Sequence, residues 1–255
     1  MKRYLMWSGG EDSSASLITC ADKGIHLDGV VMSEIMFDKR RGISAEHPDH
    51  INWVYDEGIP IIEKKLGYKV IPLRGEKDYL DLFNHRILYS KDHPERVGKK
   101  AGFVLGGNKC ALKRDCKIKV LNEWCKQQGE FEKIVGICSD EKDRLLSLEN
   151  DRNCRSILSE QGIPKYKTAD ICKANGLRSP FYSSGRKRQG CWVCPNCSID
   201  EFAALAREYP NLWEELRILS QDKEKVSKYF KYNKTFERID MAVNLINNQI
   251  SIFDI

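Results

Sequence analysis

The 255-residue sequence has no segment that approaches the run of about 20 apolar residues with which a helix crosses a bilayer. Its first ten residues carry two positive charges, but glycines and acidic residues follow before the apolar stretch of a secretory signal peptide is reached. These absences argue against a membrane-spanning or secreted protein, and we expect a cytoplasmic one. The sequence also contains no internal repeat and no low-complexity tract.

The composition is that of a globular protein. Hydrophobic residues make up 41% of the chain and charged residues 31%, which argues against long disorder. The 42 basic residues exceed the 37 acidic ones by only five, an excess too small by itself to imply nucleic acid but suited to an anionic substrate. The length allows one elaborated domain, or a core domain with an appendage.

Short apolar runs alternate with amphipathic stretches in the first half of the chain, which predicts an α/β fold with βαβ units and a parallel sheet. Strand signals fade after Ser139, so we place a boundary near residue 150, followed by a helical and cysteine-rich region at 151–247 and a tail at 248–255. Gly58 and Pro60 predict a break or kink within the helical segment 47–66. Strands are predicted at 4–7, 30–32, 69–73 and 133–138, and the other helices at 12–23, 78–88, 113–128 and 199–246.

A strand, a glycine turn and a helix start follow one another directly at residues 4–14. The two glycines let the backbone approach a ligand, while the amides of the helix N-terminus and three serine hydroxyls donate to phosphate oxygens. The aspartate suits either a helix cap or a magnesium ligand. The same residues would also suit an ordinary cap, but the complete string after a strand favours a phosphate site. The candidate residues are Ser8, Gly9, Gly10, Asp12, Ser13 and Ser14.

A second group of candidates follows the predicted strand at 133–138. Gly136 closes that strand at the edge where doubly wound sheets bind ligands, and its missing side chain leaves room for a ribose or phosphate. Asp140, Glu141 and Arg144 follow in a loop where they would bind magnesium or orient substrate, although a solvated charged loop is an equally good interpretation. We take Asp12 and Glu141 as the candidate catalytic residues.

Three of the ten cysteines crowd into a short loop, at Cys191, Cys194 and Cys197. The first two form a C-x-x-C pair, which lets two sulfurs face one metal. Cys110 and Cys116 are the natural partners because both lie just before or within a predicted helix near the phosphate loop, and Cys197 ranks fifth. Zinc and a four-iron cluster both accept four cysteines, and buried thiols are the alternative to a metal site.

The motif at residues 8–13 resembles the PP-loop of the N-type ATP pyrophosphatases and the phosphoadenosine phosphosulfate (PAPS) reductases. The chain is also similar to a branch of PAPS reductase-like proteins of bacteria and their phages, from residue 3 to about residue 215. The segments that carry this similarity are 33–38, 42–46, 109–119, 136–141 and 190–196.

The resemblance implies a Rossmann-like sheet of about five strands with flanking helices, in which residues 1–150 form the nucleotide-binding domain. It implies that the loop holds the pyrophosphate of ATP or a related adenine nucleotide with Mg²⁺, and that the reaction splits the α and β phosphates to give an adenylated intermediate. It points to the same four cysteines, and it favours an iron–sulfur cluster over zinc. These four are Cys110, Cys116, Cys191 and Cys194.

The chain departs from the family pattern at Glu11, where many relatives have lysine, so another cation must bind the phosphates. We select Lys117 as a nucleotide-binding residue. The other candidate cations are Lys109, Lys113, Arg114, Arg40 and Arg41.

Classical sulfonucleotide reductases, as the resemblance describes them, attack sulfate with a cysteine on a C-terminal tail, and here no cysteine follows Cys197. We therefore expect an enzyme of nucleotide-dependent adenylyl or sulfur transfer. One alternative is a PAPS reductase with an unusual thiol. Another is a non-catalytic nucleotide-binding module recruited to DNA.

Two further features suggest partners. Gln249, Ile252 and Phe253 belong to a segment that resembles the peptide with which bacterial replication and repair proteins bind the sliding clamp, although a segment that docks on its own domain is the competing interpretation. The basic run at 186–188 would touch nucleic acid or simply be solvated.

Overall fold

The computed structural model describes residues 1–106, 110–148, 150–151, 153–184 and 190–253, without the side chains of Ser184 and residues 249–253. None of the helices in these ranges has the length and apolar character needed to cross a membrane. The predicted clamp-binding side chains and the basic run at 186–188 lie outside the described part, so both stay predictions.

Two compact units share the chain, and each is assembled from three segments. The first, here called the sheet unit, consists of Met1–Glu34, Glu46–Gly75 and Lys117–Gln189. The second, the helical unit, consists of Ile35–Ala45, Glu76–Cys116 and Gly190–Ile255. The boundary predicted near residue 150 falls inside the sheet unit, because the chain leaves this unit and returns to it twice before residue 150.

The sheet unit is built on five parallel strands in the order β5–β2–β1–β6–β7. Strand β2 is buried along its whole length, as expected in a parallel sheet whose two faces are covered by helices. The predicted α/β fold with a five-stranded parallel sheet is therefore confirmed. The strands are β1 (Lys2–Trp7), β2 (Gly29–Glu34), β5 (Val70–Arg74), β6 (Phe131–Ile134) and β7 (Cys154–Arg155).

Helices flank this sheet, and α1 packs against β1, α8 and α9. The buried faces of α1 and of the strands form one apolar core that includes Leu5, Trp7, Leu17 and Val30. The helices of the sheet unit are α1 (Glu11–Asp22), α2 (Pro48–Trp53), α3 (Ile59–Ile61), α6 (Lys119–Gln127), α7 (Lys142–Leu148), α8 (Ile157–Glu160) and α9 (Lys165–Ala174).

Residues 48–66 stay helical throughout, so of the predicted break or kink at Gly58 and Pro60 the break does not occur. Wider π-helical turns at Val54–Gly58 and Ile62–Leu66 alternate with α2 and α3, and they accommodate a proline that lacks an N–H donor. Gly58 has a packing role, since a Cβ there would lie 3.0 Å from the Trp7 ring.

The helical unit has a separate apolar core of aromatic and aliphatic side chains, among them Phe37, Phe202, Trp213 and Phe236. The predicted C-terminal helical region is confirmed, and its last helix continues to Phe253. The elements of this unit are β3 (Met36–Asp38), β4 (Ile43–Ser44), α4 (Tyr79–Phe83), α5 (Ala111–Lys113), α10 (Ile199–Glu208), α11 (Pro210–Ser220) and α12 (Phe236–Phe253).

Candidate active site

The topology of the sheet unit places a ligand site at the carboxyl ends of β1 and β6. Strands β1 and β6 are neighbours, and β2 pairs with the other edge of β1. After β1 the chain continues to β2 on one side, and the later strands β6 and β7 lie on the other side, so the strand order reverses at this position. Open α/β sheets bind ligands at such a switch point. A cavity of about 390 Å³ lies there, between the Ser8–Ser13 loop and the residues that follow β6.

The loop between β1 and α1 requires glycine at position 9. Gly9 has a φ of +74°, a left-handed conformation that glycine adopts without strain. A Cβ at this position would also lie 2.7 Å from the Val54 side chain and 2.8 Å from the His50 ring. Both the conformation and the space therefore exclude a larger residue.

Hydrogen bonds within the loop fix its two outer serines. The Ser13 hydroxyl donates to the Gly10 carbonyl at 3.0 Å and accepts from the Ser8 amide at 3.1 Å. Ser8, Gly10 and Ser13 all line the cavity, as predicted phosphate ligands should. Ser14 does not line it, because its buried hydroxyl accepts a 2.9 Å hydrogen bond from the Trp7 indole.

The His50 ring contacts the same loop through a hydrogen bond to Ser8, a role that sequence reasoning missed. Its Nε2 lies 3.0 Å from the Ser8 carbonyl and its Nδ1 lies 3.2 Å from the Ser179 hydroxyl. Burial lowers the pKa of His50 to about 4, so the ring is neutral at pH 7. A neutral ring with Nε2–H donating to Ser8 O and Nδ1 accepting from Ser179 satisfies both contacts.

Asp12 faces the cavity and does not cap α1. Its Oδ1 accepts from the Lys165 ammonium at 2.5 Å and from the Thr168 hydroxyl at 3.2 Å, with the Cys138 sulfur at 3.5 Å. Burial acts to lower the pKa of Lys165, but the hydrogen bond and charge of Asp12 outweigh it, and the net pKa is raised. The ion pair therefore persists at neutral pH.

Asp12, Cys138 and Glu141 form a set of potential metal ligands whose atoms lie within 4.8 Å of one another. Burial, followed by the two neighbouring carboxylates, raises the pKa of Cys138 to about 12, so its sulfur stays protonated and is a poor ligand. Two hard carboxylates remain, and this donor chemistry fits Mg²⁺. Glu141 also accepts from the Cys138 amide at 2.9 Å and from Arg144 at 2.6 Å.

Gly136 lies beside this group and lines the cavity. Strand β6 ends at Ile134, two residues before Gly136. A Cβ on Gly136 would lie 2.7 Å from the Asp12 carbonyl carbon and 2.7 Å from the Ser13 nitrogen. The missing side chain therefore allows the end of β6 to approach the first turn of α1, and the contact of Gly136 with a ribose or phosphate stays a prediction.

Three cations line the cavity, and sequence reasoning named two of them, Lys117 and Arg144, but missed Lys165. No local pattern marks Lys165, since it follows a proline at the start of α9. Of the other predicted cations, Arg40, Arg41, Lys113 and Arg114 belong to the helical unit, and Lys109 lies outside the described residues.

Glu11 stands where the family pattern described above has lysine, and its carboxylate pairs with a cation from another part of the chain. Its carboxylate accepts from Arg178 Nε at 2.8 Å, and both side chains are largely buried. The Arg178 guanidinium also lies 5.5 Å from the centre of the Tyr182 ring, and that ring lines the cavity. Arg178 and Tyr182 were likewise missed by sequence reasoning.

The four predicted metal ligands all belong to the helical unit. Cys110 caps α5, where its sulfur accepts from the Lys113 amide at 3.4 Å. Cys191 and Cys194 are half-buried in the loop before α10, whereas Cys116 is only 1% exposed. None of the ten cysteines, all within the described ranges, forms a disulfide.

A buried tyrosine near these cysteines tests whether a metal centre fits there. The Tyr79 hydroxyl is buried and has no hydrogen-bond partner among the described residues. Burial raises the pKa of Tyr79, the nearby Val104 backbone acts in the opposite direction, and the charges of Cys110, Cys191 and Cys194 raise it further. A buried hydroxyl that has only the Val104 backbone near it and lies within electrostatic reach of three cysteines fits a site that holds a sulfur-ligated metal group.

No family model matches the sequence. An uncharacterized protein of Methanocaldococcus jannaschii is 23% identical over 219 residues, which are 82% of this chain and 39% of that protein. The chain thus spans well under half the length of this relative.

The structure is similar to those of two enzymes. The PAPS reductase of Candida auris superposes with a TM-score of 0.45 and 10% identity, over 75% of this chain and 82% of the reductase. The U34-tRNA thiolase NcsA of Methanococcus maripaludis, determined with its [4Fe-4S] cluster, gives a TM-score of 0.40 and 14% identity, over 96% of this chain and 81% of NcsA.

Proposed function

We propose that the chain binds ATP or a related adenine nucleotide in the cavity at the ends of β1 and β6 and transfers its adenylyl group to an acceptor. One observation carries the proposal. The Ser8–Ser13 loop, the N-terminus of α1, three cations and Asp12 border one cavity of about 390 Å³, and the Glu141 carboxylate lies within 4.8 Å of Asp12. Anions bind where helix amides and cations converge, and a nearby carboxylate pair suits the magnesium that accompanies ATP.

Each group has a distinct task in this reaction. Ser8, Ser13 and the first amides of α1 bind phosphate oxygens, while Lys117 and Arg144 offset their negative charge. Asp12 and Glu141 would hold Mg²⁺, which neutralises charge on the phosphates when it is bound. An acceptor atom attacks the α-phosphorus, the bond to the β-phosphate oxygen breaks, and pyrophosphate leaves.

The metal changes the role of Lys165. In the described structure its ammonium compensates the charge of Asp12. A divalent cation on Asp12 would take over that compensation, which leaves Lys165 available for a phosphate oxygen of the nucleotide.

A cysteine-bound iron–sulfur centre in the helical unit is the second part of the proposal. Its support is the set of cysteines in that unit together with the unpartnered Tyr79 hydroxyl. Such a centre suits sulfur or redox chemistry at the activated acceptor. The reductase alternative has less support, because Cys138, the thiol beside Asp12, is fully buried and is not among the residues that line the cavity.

Calorimetric titration with Mg²⁺ and α,β-methylene-ATP tests nucleotide binding without knowledge of the acceptor. We expect saturable binding that Lys165→Met weakens about tenfold, as the loss of one charged hydrogen bond implies. Lys119→Met is the matched control, because this exposed lysine pairs only with Glu123 among the described residues. Absence of binding to the unaltered protein would overturn the proposal.

The products identify the bond that breaks. With ATP and Mg²⁺, slow transfer to water in place of the acceptor should release AMP and pyrophosphate. Release of ADP and inorganic phosphate would instead indicate attack at the γ-phosphate and would contradict adenylyl chemistry.

A further inference from the structure

The loop at residues 191–197 presents three cysteines at equal spacing and with repeated geometry. The Cys194 amide donates to the Cys191 carbonyl at 3.1 Å, and the Cys197 amide donates to the Cys194 carbonyl at 3.1 Å. The Cys197 sulfur lies 3.8 Å from the Cys191 carbonyl oxygen. Two successive tight turns therefore bring the third cysteine back beside the first.

Neighbouring groups fix this loop at both ends. Trp192 donates from its backbone to the Ala45 carbonyl at 2.9 Å and from its indole to the Ser44 carbonyl at 2.8 Å. The Lys231 ammonium donates to the carbonyls of Pro195 and Cys197 at 2.8 and 2.6 Å. The two hydrogen bonds from Lys231 therefore hold the backbone at the Cys197 end of the loop.

Gly106 lies beside the side chain of Asn196 in the same loop. A Cβ on Gly106 would lie 2.8 Å from the side-chain oxygen of Asn196, which lies between Cys194 and Cys197. Cys110 follows four residues later. The charges of Cys110, Cys191 and Cys194 all act on the Tyr79 hydroxyl, and Cys110, Cys191 and Cys197 pack against the same apolar core.

Cys116 has a different environment. Its side chain is 1% exposed within the apolar core of the helical unit. Burial, followed by the acidic side chains of Asp115, Asp78 and Asp81, raises the pKa of Cys116 to about 12 and disfavours an anionic sulfur. It also lies six residues beyond Cys110 along a helical segment, a rise of about 9 Å at 1.5 Å per residue.

We propose that Cys197, and not Cys116, joins Cys110, Cys191 and Cys194 as the fourth ligand of an iron–sulfur cluster. The inference rests on the proposed cysteine centre and replaces one member of the ligand set expected from the sequence. Cys116 is then a core thiol.

The spacing of the sulfurs favours a cluster over a single ion. No three of these described cysteines have sulfurs within 4.8 Å of one another. Tetrahedral zinc with Zn–S bonds of about 2.3 Å needs sulfurs roughly 3.8 Å apart. An iron–sulfur cluster places its own atoms between the cysteines and therefore accepts cysteine sulfurs that lie farther apart.

Single substitutions separate the two candidates for the fourth ligand. The unaltered protein and the Cys116→Ala, Cys197→Ala and Cys125→Ala variants are purified without oxygen and reconstituted with ferrous iron and sulfide. Iron, labile sulfide, visible absorption and the spin-resonance signal of the reduced protein are then measured. Cys125 is the matched control, because it is a buried thiol of the sheet unit.

We expect about four irons per chain in the unaltered protein and in the Cys116 and Cys125 variants. The Cys197 variant should lose the cluster or retain a three-iron form. Loss in Cys116→Ala with retention in Cys197→Ala would overturn the ligand assignment but leave the centre standing. Stoichiometric zinc, or no metal in the unaltered protein, would overturn both. Circular dichroism checks folding, and Cys197→Ser replaces the alanine variant if that variant does not fold.

Discussion

Replacing Gly136 with alanine puts a methyl group into the backbone of the first turn of α1. The added carbon would lie 2.7 Å from the Asp12 carbonyl carbon and from the Ser13 nitrogen, and ordinary contacts begin at 3.4 Å. The overlap of about 0.7 Å cannot be relieved by a side-chain rotation, because both neighbours are backbone atoms. The turn must therefore move away from the end of β6.

Overpacking of this kind costs about 2 kcal/mol of unfolding free energy, which for a chain of this size lowers Tm by roughly 4–8 °C. The same displacement moves the loop amides away from the phosphates, and a misfit of about 1.4 kcal/mol weakens nucleotide binding tenfold. Differential scanning calorimetry and titration with α,β-methylene-ATP measure the two effects.

Gly190→Ala provides the control, because a Cβ at that glycine meets no atom within 4 Å. It should change neither Tm nor nucleotide affinity. A Gly136→Ala protein that matched the control in both measurements would refute the close approach of β6 and α1 and the role of this turn in binding.

Three other outcomes are expected. The pKa of His50 is near 4 in the folded protein against 6.5 in the unfolded chain, so about 3 kcal/mol of stability is present above pH 6.5 and is lost as the pH falls towards 4. His50→Gln should flatten this part of the pH dependence in urea unfolding, and an unchanged slope would contradict a buried neutral ring. Tyr79→Phe should keep the metal but make the cluster potential more negative, because a buried hydroxyl next to the proposed cluster would donate to it in the reduced state; an unchanged potential in film voltammetry would argue against such a donor. Glu11→Gln should leave the Arg178 charge uncompensated and strengthen binding of inorganic pyrophosphate. Weaker binding in a competition assay would contradict the idea that the Glu11–Arg178 ion pair lowers the affinity for phosphate groups.

The sequence was most informative where the signals are contiguous. Tyr4 to Ser14 contains a strand, a turn and a helix start within eleven residues, so this strand–turn–helix unit could be predicted from spacing alone. The strands at 30–32 and 69–73 were also predicted close to their observed bounds, because a buried parallel strand has a continuous apolar pattern.

The rest of the site depends on contacts between distant parts of the chain. Lys165 reaches Asp12 across 153 residues, and Arg178 reaches Glu11 across 167. Neither cation has a local signature, since an isolated lysine or arginine at a helix end is usually a surface residue. Strand β7 was missed because it has only two residues, Cys154 and Arg155, which are too few to show a period.

The cysteine spacing alone could not rank Cys116 against Cys197. Cys116 lies close to Cys110 in the sequence and Cys197 lies close to Cys194, so each candidate is near another expected ligand. What separates them is burial, the charge around each sulfur and the fixed Lys231, and these follow only from the tertiary structure.

The interleaving of the two units has a consequence for how the protein is made. Its six segments force five passes between the units, so neither unit is encoded by one continuous stretch of sequence. The cysteines of the helical unit are synthesised in two groups, at residues 110–116 and 191–197. The whole third segment of the sheet unit lies between these groups. During synthesis Cys110 therefore leaves the ribosome more than 80 residues before Cys191, and until then it has no partner from the second group. Any cofactor that binds all of them can be loaded only after the sheet is essentially complete.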